Sequence, residues 1–317
     1  MPIPLPNWYI APYHSKFPQA TGFNKGFIAF GDNFASYTTT NRSLSFATYT
    51  ETTHTAMSTA ARIHAMPCAS PSHLYHMAGY AASGYVSTVN KLTSNTSTES
   101  TVTISWSTTR RGGSHPGAHL NRNRMYFFGG YSDSLSQYMA TISFVTQNTD
   151  TETSSGAALG AGRHLSTTLF NTVQAHIVAG YASGGGTTNT NYKYTYATDA
   201  ITTVTGDTIN TGIACGFSSN VAGYRVQGYN IQHTQNTKYT FSSDTWATAT
   251  NSPETNGMAF GCAQYVNQYE GALWCGYNSV FAKRLLYRLA WANETYTNSS
   301  YTTGDPNNGF LFYVGGY

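Results

Sequence analysis

Charge is scarce in this chain of 317 residues, because Asp, Glu, Lys and Arg together make up only 9% of it. Soluble globular proteins average about 25%, so the polar surface must consist mainly of Thr, Ser, Asn, Gly and Tyr. The 16 basic and 13 acidic residues form no basic run and no acidic tail. A surface that matches nucleic-acid phosphates needs such a basic run or patch. We therefore predict no nucleic-acid partner.

Long hydrophobic runs and abundant cysteine are missing as well. No stretch of about 18 apolar residues occurs, so we predict no membrane insertion. The opening segment Met1–Trp8 has neither the basic region nor the apolar region of a signal peptide, which predicts synthesis in the cytoplasm of the producing cell, whatever the final location. The four cysteines are too few for a disulfide scaffold of this size. Aromatic residues reach 15%, a level that argues against disorder.

What the chain does contain is a repeat. An apolar run that ends in glycine, usually followed by tyrosine, recurs along the whole sequence. The marker glycines are Gly31, Gly79, Gly130, Gly180, Gly228, Gly276 and Gly316, with steps of 48, 51, 50, 48, 48 and 40 residues. Such a ladder predicts one repeated structural unit, and hence a single domain over residues 1–317.

Each period holds four short segments rich in β-branched and aromatic residues, separated by turn residues. One period comprises Arg163–Phe170, the marker strand before Gly180, Asn191–Ala197 and Ala200–Thr205. This pattern is typical of strands, and we predict an all-β chain. Four strands in about 50 residues resemble the kelch type of β-propeller blade. The glycines fit this resemblance, since a Cβ at the crowded inner end of a blade would collide with neighbouring backbone.

Seven markers predict seven blades in a closed ring, with six blades as the alternative. The last blade is incomplete after Gly316, so we expect the N-terminal segment Trp8–Ala11 to supply its missing outer strand. Closure by the N- and C-terminal strands would remove the unpaired sheet edges that otherwise favour aggregation.

A second ladder consists of acidic residues that follow the marker glycines at 16 to 20 residues. We expect each to lie where the third strand turns into the fourth, setting a tight turn by accepting backbone N–H bonds. One carboxylate per blade would then be spread around the ring instead of forming a catalytic cluster. The six residues are Glu51, Glu99, Asp150, Asp199, Asp244 and Glu294.

No catalytic motif remains once these acids are set aside. The other acids are scattered, no nucleophile motif is present, and no copper-ligand motif of the galactose-oxidase kind can be matched. The closest histidine pairs are unsuited to metal, since Pro116 interrupts one and a strand would point His73 and His76 to opposite faces. Cys68, Cys215 and Cys262 occupy the same predicted strand of different blades, as small buried thiols do. We predict no enzyme activity, no cofactor and no metal site.

The tyrosines after the marker glycines are the candidate binding residues. Loops that leave this strand line one mouth of a propeller channel, and aromatic faces beside hydroxyl and amide groups suit sugars. The alternative is that these tyrosines are wedges that fix the angle between blades. The candidates are Tyr80, Tyr131, Tyr181, Tyr229 and Tyr277, with Tyr317 as the final copy.

Three segments resemble the Thr/Ser/Asn-rich kelch-like repeats of tailed-phage particle proteins: Tyr85–Thr93, Tyr192–Asp207 and Thr237–Thr250. This resemblance implies a structural or adhesion component of a virus particle, in a tail fibre, tail tip or capsid decoration. Its expected location is the virion, and its expected partners are other virion proteins and host cell-surface glycans. The alternative is a cellular kelch-like module that binds a protein or peptide at the channel mouth. Such modules usually present a basic mouth, whereas the marker strands here end in tyrosine.

Overall fold

The computed structural model describes the greater part of the chain as strands and short turns. It covers residues 25–32, 37–45, 51–54, 62–63, 66–69, 73–77, 80–81, 84–85, 89–93, 98–102, 104, 118–119, 123–132, 135–147, 149–207, 209–210, 212, 214–219, 221–226, 235–249, 262–265, 270–277, 282–290 and 293–302. Every regular element in these residues is a β-strand, which confirms the predicted all-β class. The expected closing segments around Trp8 and Gly316 lie outside the described residues.

The strands are short, and most of them have two to five residues. In chain order they are β1 (Lys25–Asp32), β2 (Tyr37–Ser45), β3 (Glu51–His54), β4 (Arg62–Ile63), β5 (Met66–Ala69), β6 (His73–Met77), β7 (Tyr80–Ala81), β8 (Gly84–Tyr85), β9 (Val89–Thr93), β10 (Thr98–Val102), β11 (Ala118–His119), β12 (Arg124–Phe128), β13 (Tyr131–Ser132), β14 (Gln137–Tyr138), β15 (Thr141–Thr146), β16 (Thr151–Ala158), β17 (Arg163–His164), β18 (Thr167–Phe170), β19 (Gln174–Val178), β20 (Tyr181–Ala182), β21 (Asn191–Thr195), β22 (Ala200–Val204), β23 (Cys215–Ser218), β24 (Ala222–Val226), β25 (Thr237–Thr240), β26 (Thr245–Thr248), β27 (Cys262–Tyr265), β28 (Glu270–Tyr277), β29 (Ala282–Ala290) and β30 (Thr295–Thr302).

Six antiparallel sheets that each contain a marker strand follow one another along the described chain, one of three strands and five of four, and we number them 1 to 6. Their strand orders are β1-β2-β3, β5-β6-β9-β10, β11-β12-β15-β16, β18-β19-β21-β22, β23-β24-β25-β26 and β27-β28-β29-β30. Three smaller sheets, β4-β7-β8, β13-β14 and β17-β20, lie between them in sequence. Each large sheet contains one marker strand, as the glycine ladder predicts.

The predicted strand bounds hold with one refinement in sheet 4. The segment Arg163–Phe170, expected as one strand, is two: β17 pairs with β20, and β18 pairs with β19. Leu165 between them has a φ of 53°, a left-handed conformation outside the β region. The chain therefore bends there and joins two different sheets.

Burial distinguishes the strands within a sheet. The second strands β19 and β24 are buried at every position, although alternate side chains of a strand point to opposite faces. The fourth strands β22 and β26 carry only exposed and half-buried residues. The second strand of a sheet is therefore covered on both faces, and the fourth strand lies on the outside.

Sheets 3, 4 and 5 pack face to face, and we call each contact layer between consecutive sheets a seam. In the seam between sheets 3 and 4, Tyr126 and Phe128 of β12 meet Ile177 of β19 and Tyr194 of β21. The Tyr194 ring lies 5.4 Å from both the Tyr126 ring and the Phe128 ring. Aromatic pairs at this spacing contribute about 0.5–1.5 kcal/mol beyond the apolar area that they bury.

The opposite face of sheet 4 forms the next seam. There Leu169 and Val178 pack against Tyr239 and Phe241 of sheet 5, with Trp246 at the margin of the cluster. Residues 177 and 178, neighbours in one strand, thus belong to two different seams. The period of two in the sequence is therefore the direct cause of sheet stacking on both sides.

One marker glycine shows why the repeat requires glycine. Gly180 has a φ of +90°, and a Cβ built there would lie 2.8 Å from both the carbonyl oxygen of His164 and the Cα of Ser166. Both the backbone conformation and the close approach exclude a larger residue. The predicted collision of a Cβ with neighbouring backbone is confirmed at this position.

Candidate functional site

The marker tyrosines begin new, shorter strands beyond the large sheets. Tyr80, Tyr131 and Tyr181 are the first residues of β7, β13 and β20. Tyr277 is the last residue of β28, where its backbone pairs with Ala282. Tyr229 and Tyr317 lie outside the described residues.

Four aromatic residues lie together at two of these tyrosines, three of them through ring contacts and Tyr181 through a backbone pair, and we call them the aromatic band: Tyr131, Tyr138, His164 and Tyr181. The Tyr131 ring lies 5.5 Å from the Tyr138 ring and 5.7 Å from the His164 ring. His164 stacks on Tyr138 at 5.8 Å, and its backbone pairs with that of Tyr181. The structure therefore brings two sequence-predicted candidates together, through a histidine from the linker that enters sheet 4.

Exposure differs within the aromatic band. His164 is nearly buried, at 9% exposure, whereas the three tyrosines are half-buried. The Tyr181 ring lies so close to Gly212 that a Cβ at residue 212 would come within 2.7 Å of it. A half-buried ring packs one side against protein and turns the other towards solvent. The geometry thus accommodates both the packing interpretation and the binding interpretation of these tyrosines.

Sequence reasoning did not select Tyr138 and His164 as members of this cluster. A signal for Tyr138 was present, because Tyr80 pairs with Tyr85 across β7 and β8 just as Tyr131 pairs with Tyr138 across β13 and β14. A tyrosine a few residues beyond the marker tyrosine is thus a cross-strand partner at Tyr80 and Tyr131.

The acidic ladder lies at the opposite end of the sheets. The marker strand runs towards the aromatic band and the third strand runs back, so the third-to-fourth turn is at the far end. Four acids occupy the last position of that turn with a left-handed φ between 49° and 53°. They are Asp150, Asp199, Asp244 and Glu294. Their predicted place at the turn is confirmed.

Two acids of the ladder depart from this pattern. Glu99 lies inside β10, where it pairs with Leu92, and Glu51 is the first residue of β3, where it pairs with Leu44. The prediction that both residues lie in the turn is wrong for Glu99, which lies inside a strand. For Glu51 the prediction differs by one residue, because Glu51 is the first residue of the strand after the predicted turn. In sheet 2 the strands already pair at Thr93 and Thr98, so the turn closes before Glu99.

The turn acids bind side chains of the neighbouring sheet. Asp150 of sheet 3 accepts a 2.8 Å hydrogen bond from the Tyr75 hydroxyl and a 2.9 Å bond from Lys91 Nζ, both in sheet 2. Glu294 of sheet 6 likewise accepts bonds from Tyr224 (3.1 Å) and Lys238 Nζ (2.5 Å) of sheet 5. These acids tie consecutive sheets together, in addition to shaping their own turns.

Asp244 makes the equivalent contact between sheets 4 and 5 and also accepts a hydrogen bond within its own sheet. Asp244 accepts a 2.5 Å bond from Lys193 Nζ of sheet 4 and a 2.8 Å bond from the Tyr239 hydroxyl of sheet 5. Burial alone would raise the pKa of Asp244, but the hydrogen bonds from Lys193 and Tyr239 outweigh it and lower this pKa below its ordinary value. The carboxylate is therefore ionised at neutral pH.

A fully buried ion pair lies in the seam between sheets 4 and 5. Arg225 Nε donates to Asp207 Oδ2, and both side chains have 0% exposure. Asp207 also accepts a 3.0 Å bond from the Thr237 hydroxyl and a 3.2 Å bond from the backbone N–H of Ile209. The pair is shielded from solvent, so we assign it a structural role.

The described residues hold no group of three or more His, Cys, Asp or Glu side chains arranged to bind a metal ion. Cys68, Cys215 and Cys262 lie in the first strands of sheets 2, 5 and 6, as predicted. His73 and His76 lie three residues apart in one strand, so they point to opposite faces.

Comparisons with known proteins support the fold and leave the activity open. No protein-family model matches the chain, and no curated protein matches it. A solved structure described as "Structure of YjhT" superimposes with a TM-score of 0.73 at 11% identity, over 88% of this chain and 95% of that one. This likeness, which concerns fold alone, is compatible with a kelch-like β-propeller. Within the described residues, no helix is long and apolar enough to cross a membrane.

Proposed function

We propose that the chain forms a closed kelch-like β-propeller of seven blades. Each of the six described sheets contains one marker strand, sheets 3, 4 and 5 pack through two shared seams, and hydrogen bonds join sheet 2 to sheet 3 and sheet 5 to sheet 6. The seventh marker, Gly316, follows one further repeat step along the chain. We assign the seventh blade to the residues around Gly316 together with the N-terminal segment around Trp8.

We further propose that this propeller is a non-enzymatic structural or adhesion component of a virus particle that meets host-surface carbohydrate. The observation that carries this proposal is the aromatic band, whose three half-buried tyrosines sit on a surface poor in charge. Ring faces stack on the C–H groups of a sugar, and neighbouring hydroxyl and amide groups meet its hydroxyls. Weak affinity at each site would be increased by many copies on one particle.

The exposed outer strands support a particle surface. Exposed positions of β16, β22 and β26 are Thr, Ser, Gly or Ala, with no charged residue among them. Such a surface depends little on ionic strength for its interactions, since screening by salt acts on charges. This property suits a protein exposed to changing media.

Mass spectrometry of purified particles tests the location, and a glycan array tests the ligand. We expect the protein among the particle components and binding to at least one host glycan. Tyr131→Ala should weaken this binding through lost stacking, while Leu135→Ala, an exposed neighbour in the same hairpin, should leave it unchanged. Absence from particles together with tight binding to a cellular protein would contradict the proposal and favour the cellular peptide-binding alternative. Detection of stoichiometric copper or zinc, or of glycan cleavage, would contradict the non-enzymatic part.

A further inference from the structure

One repeat position carries a histidine where other repeats carry tyrosine. Four residues before the marker glycine, the second strand presents a side chain to the next sheet. Tyr75, Tyr126 and Tyr224 fill this position in sheets 2, 3 and 5, and each contacts a residue of the following sheet. In sheet 4 the position is His176. The seam between sheets 4 and 5 thus contains an imidazole where sheets 2, 3 and 5 present a phenol to the following sheet.

The surroundings of His176 are aromatic and closed to solvent. The side chain has 0% exposure, and its ring lies 4.2 Å from the Tyr239 ring and 5.5 Å from the Phe241 ring, both in sheet 5. Gln174 Nε2 approaches His176 Nε2 at 3.0 Å from the same strand. A charged imidazolium here would lose its hydration without a carboxylate in direct contact among these neighbours.

The ionisable groups that face His176 already satisfy one another. Lys193 lies directly opposite it on β21 and binds Asp244 of sheet 5, which also accepts the Tyr239 hydroxyl bond. Burial lowers the pKa of His176 to about 4; Asp244 partly opposes this, whereas Lys193 adds to it. The imidazole is therefore neutral at neutral pH, and its protonation is unfavourable as long as the seam is closed.

We propose that the seam between sheets 4 and 5 is an acid-sensitive joint, in which protonation of His176 favours separation of the two sheets. The seams that carry tyrosine at the same position lack a fully buried imidazole there; His73, whose ring lies 6.2 Å from the Tyr75 ring, is only half-buried and loses less hydration when protonated. This inference is independent of the proposed function, because it concerns a property of the fold itself.

The expected pH window follows from the two states of the imidazole. In an opened seam the solvated ring has the ordinary pKa of 6.5, whereas in the closed seam the pKa is about 4. The open state therefore binds more protons between these values, and opening becomes more favourable as the pH falls from 6.5 towards 4. The increase levels off below pH 4, where the opening equilibrium approaches a value about 300-fold higher than at neutral pH.

Trp246 provides a local reporter of this opening. Its ring packs against the seam cluster, and its Nε1–H donates a 3.0 Å hydrogen bond to the carbonyl oxygen of Thr205, across the seam. We would measure its emission as the difference between the protein and a Trp246→Phe variant, at a series of pH values between about 7 and 4. Opening should shift this emission to longer wavelength.

The decisive comparison uses His176→Tyr, which places at this position the tyrosine that sheets 2, 3 and 5 have there. We expect an acid-induced shift of Trp246 emission in the unmodified protein and its loss in this variant. Equal shifts in both proteins would overturn the inference, because the titrating group would then lie elsewhere. The reciprocal change, Tyr126→His, should make the unfolding free energy of the chain more sensitive to acid. If that sensitivity stays the same, the position is not the determinant.

If His176→Tyr does not fold, a direct titration of the His176 ring tests the inference instead. The ring protons of the ten histidines can be followed by NMR in the unmodified protein, with the His176 signal assigned through a His176→Gln variant. We expect this signal to titrate close to pH 4 or to disappear into an opened species before it. A reversible titration near pH 6.5 without structural change would contradict the inference.

Discussion

The buried ion pair between Arg225 and Asp207 offers a sharp test of how sheets 4 and 5 are held together. Both side chains have 0% exposure, so removal of one partner leaves the other charge without water and without its counter-ion. Asp207→Ala also removes the acceptor for the Thr237 hydroxyl. Breaking a buried pair in this way costs about 3–5 kcal/mol of unfolding free energy. We expect Asp207→Ala and Arg225→Met each to destabilise the chain by this amount.

The double variant distinguishes a true pair from two independent contributions. With both charges removed, no uncompensated ion remains, and an apolar pair of similar volume is often neutral relative to the ion pair. Asp207→Leu combined with Arg225→Met should therefore cost less than either Asp207→Leu or Arg225→Met alone. Urea unfolding, followed by circular dichroism, gives the free energies, with equal denaturant slopes as a check on comparability.

Two results would refute this reasoning. A cost below about 1 kcal/mol for a single variant is the value for a solvent-exposed pair, and it would mean that water reaches the seam. Additive costs in the double variant would mean that the two side chains do not interact. Thr237→Val serves as a control, because it deletes only a hydroxyl that bonds both partners and should cost about 1 kcal/mol.

Three further perturbations test other parts of the structure. Tyr131→Ala should lower glycan affinity by about 1 kcal/mol if the ring stacks on sugar; a lower melting temperature with unchanged affinity per folded molecule would instead identify it as a wedge between blades. Gly223→Ala should destabilise the chain, since a Cβ there would lie 2.6 Å from Leu169 Cβ, and Leu169→Gly, which removes that Cβ, should partly relieve this clash in the double variant, as measured by thermal melts. Lys238→Met should cost less than about 1 kcal/mol and make stability less dependent on salt, because its pair with Glu294 is partly exposed; a larger cost in urea unfolding would contradict a surface clamp.

The strand pattern of this chain was predictable because alternate side chains of a strand face two different neighbouring sheets. Ile177 and Val178 alternate between two seams, and Gly180 marks the strand end at which only glycine fits. The turn acids were predictable for a similar reason, since a left-handed turn residue follows the third strand at a nearly constant distance. Glu99 was misplaced because one sheet closes its turn two residues earlier, which the spacing of the acids does not reveal.

The contacts between sheets could not be predicted in the same way. Lys91 and Asp150 are 59 residues apart, and their bond depends on how one sheet lies over the next. His164 joins the aromatic band because Leu165 bends the chain between two short strands, a local event without a sequence period. Side chains gathered from different repeats leave little trace in sequence, so the members of a site are harder to predict than the repeat that supports them.

A crystal structure of the full chain tests the central claim most directly. The account predicts a closed ring in which the strand before Gly316 and the segment around Trp8 belong to one seventh sheet. That sheet should cover the free faces of sheets 1 and 6. A ring of six sheets, an open stack, or a Trp8 segment far from residues 300–317 would contradict it.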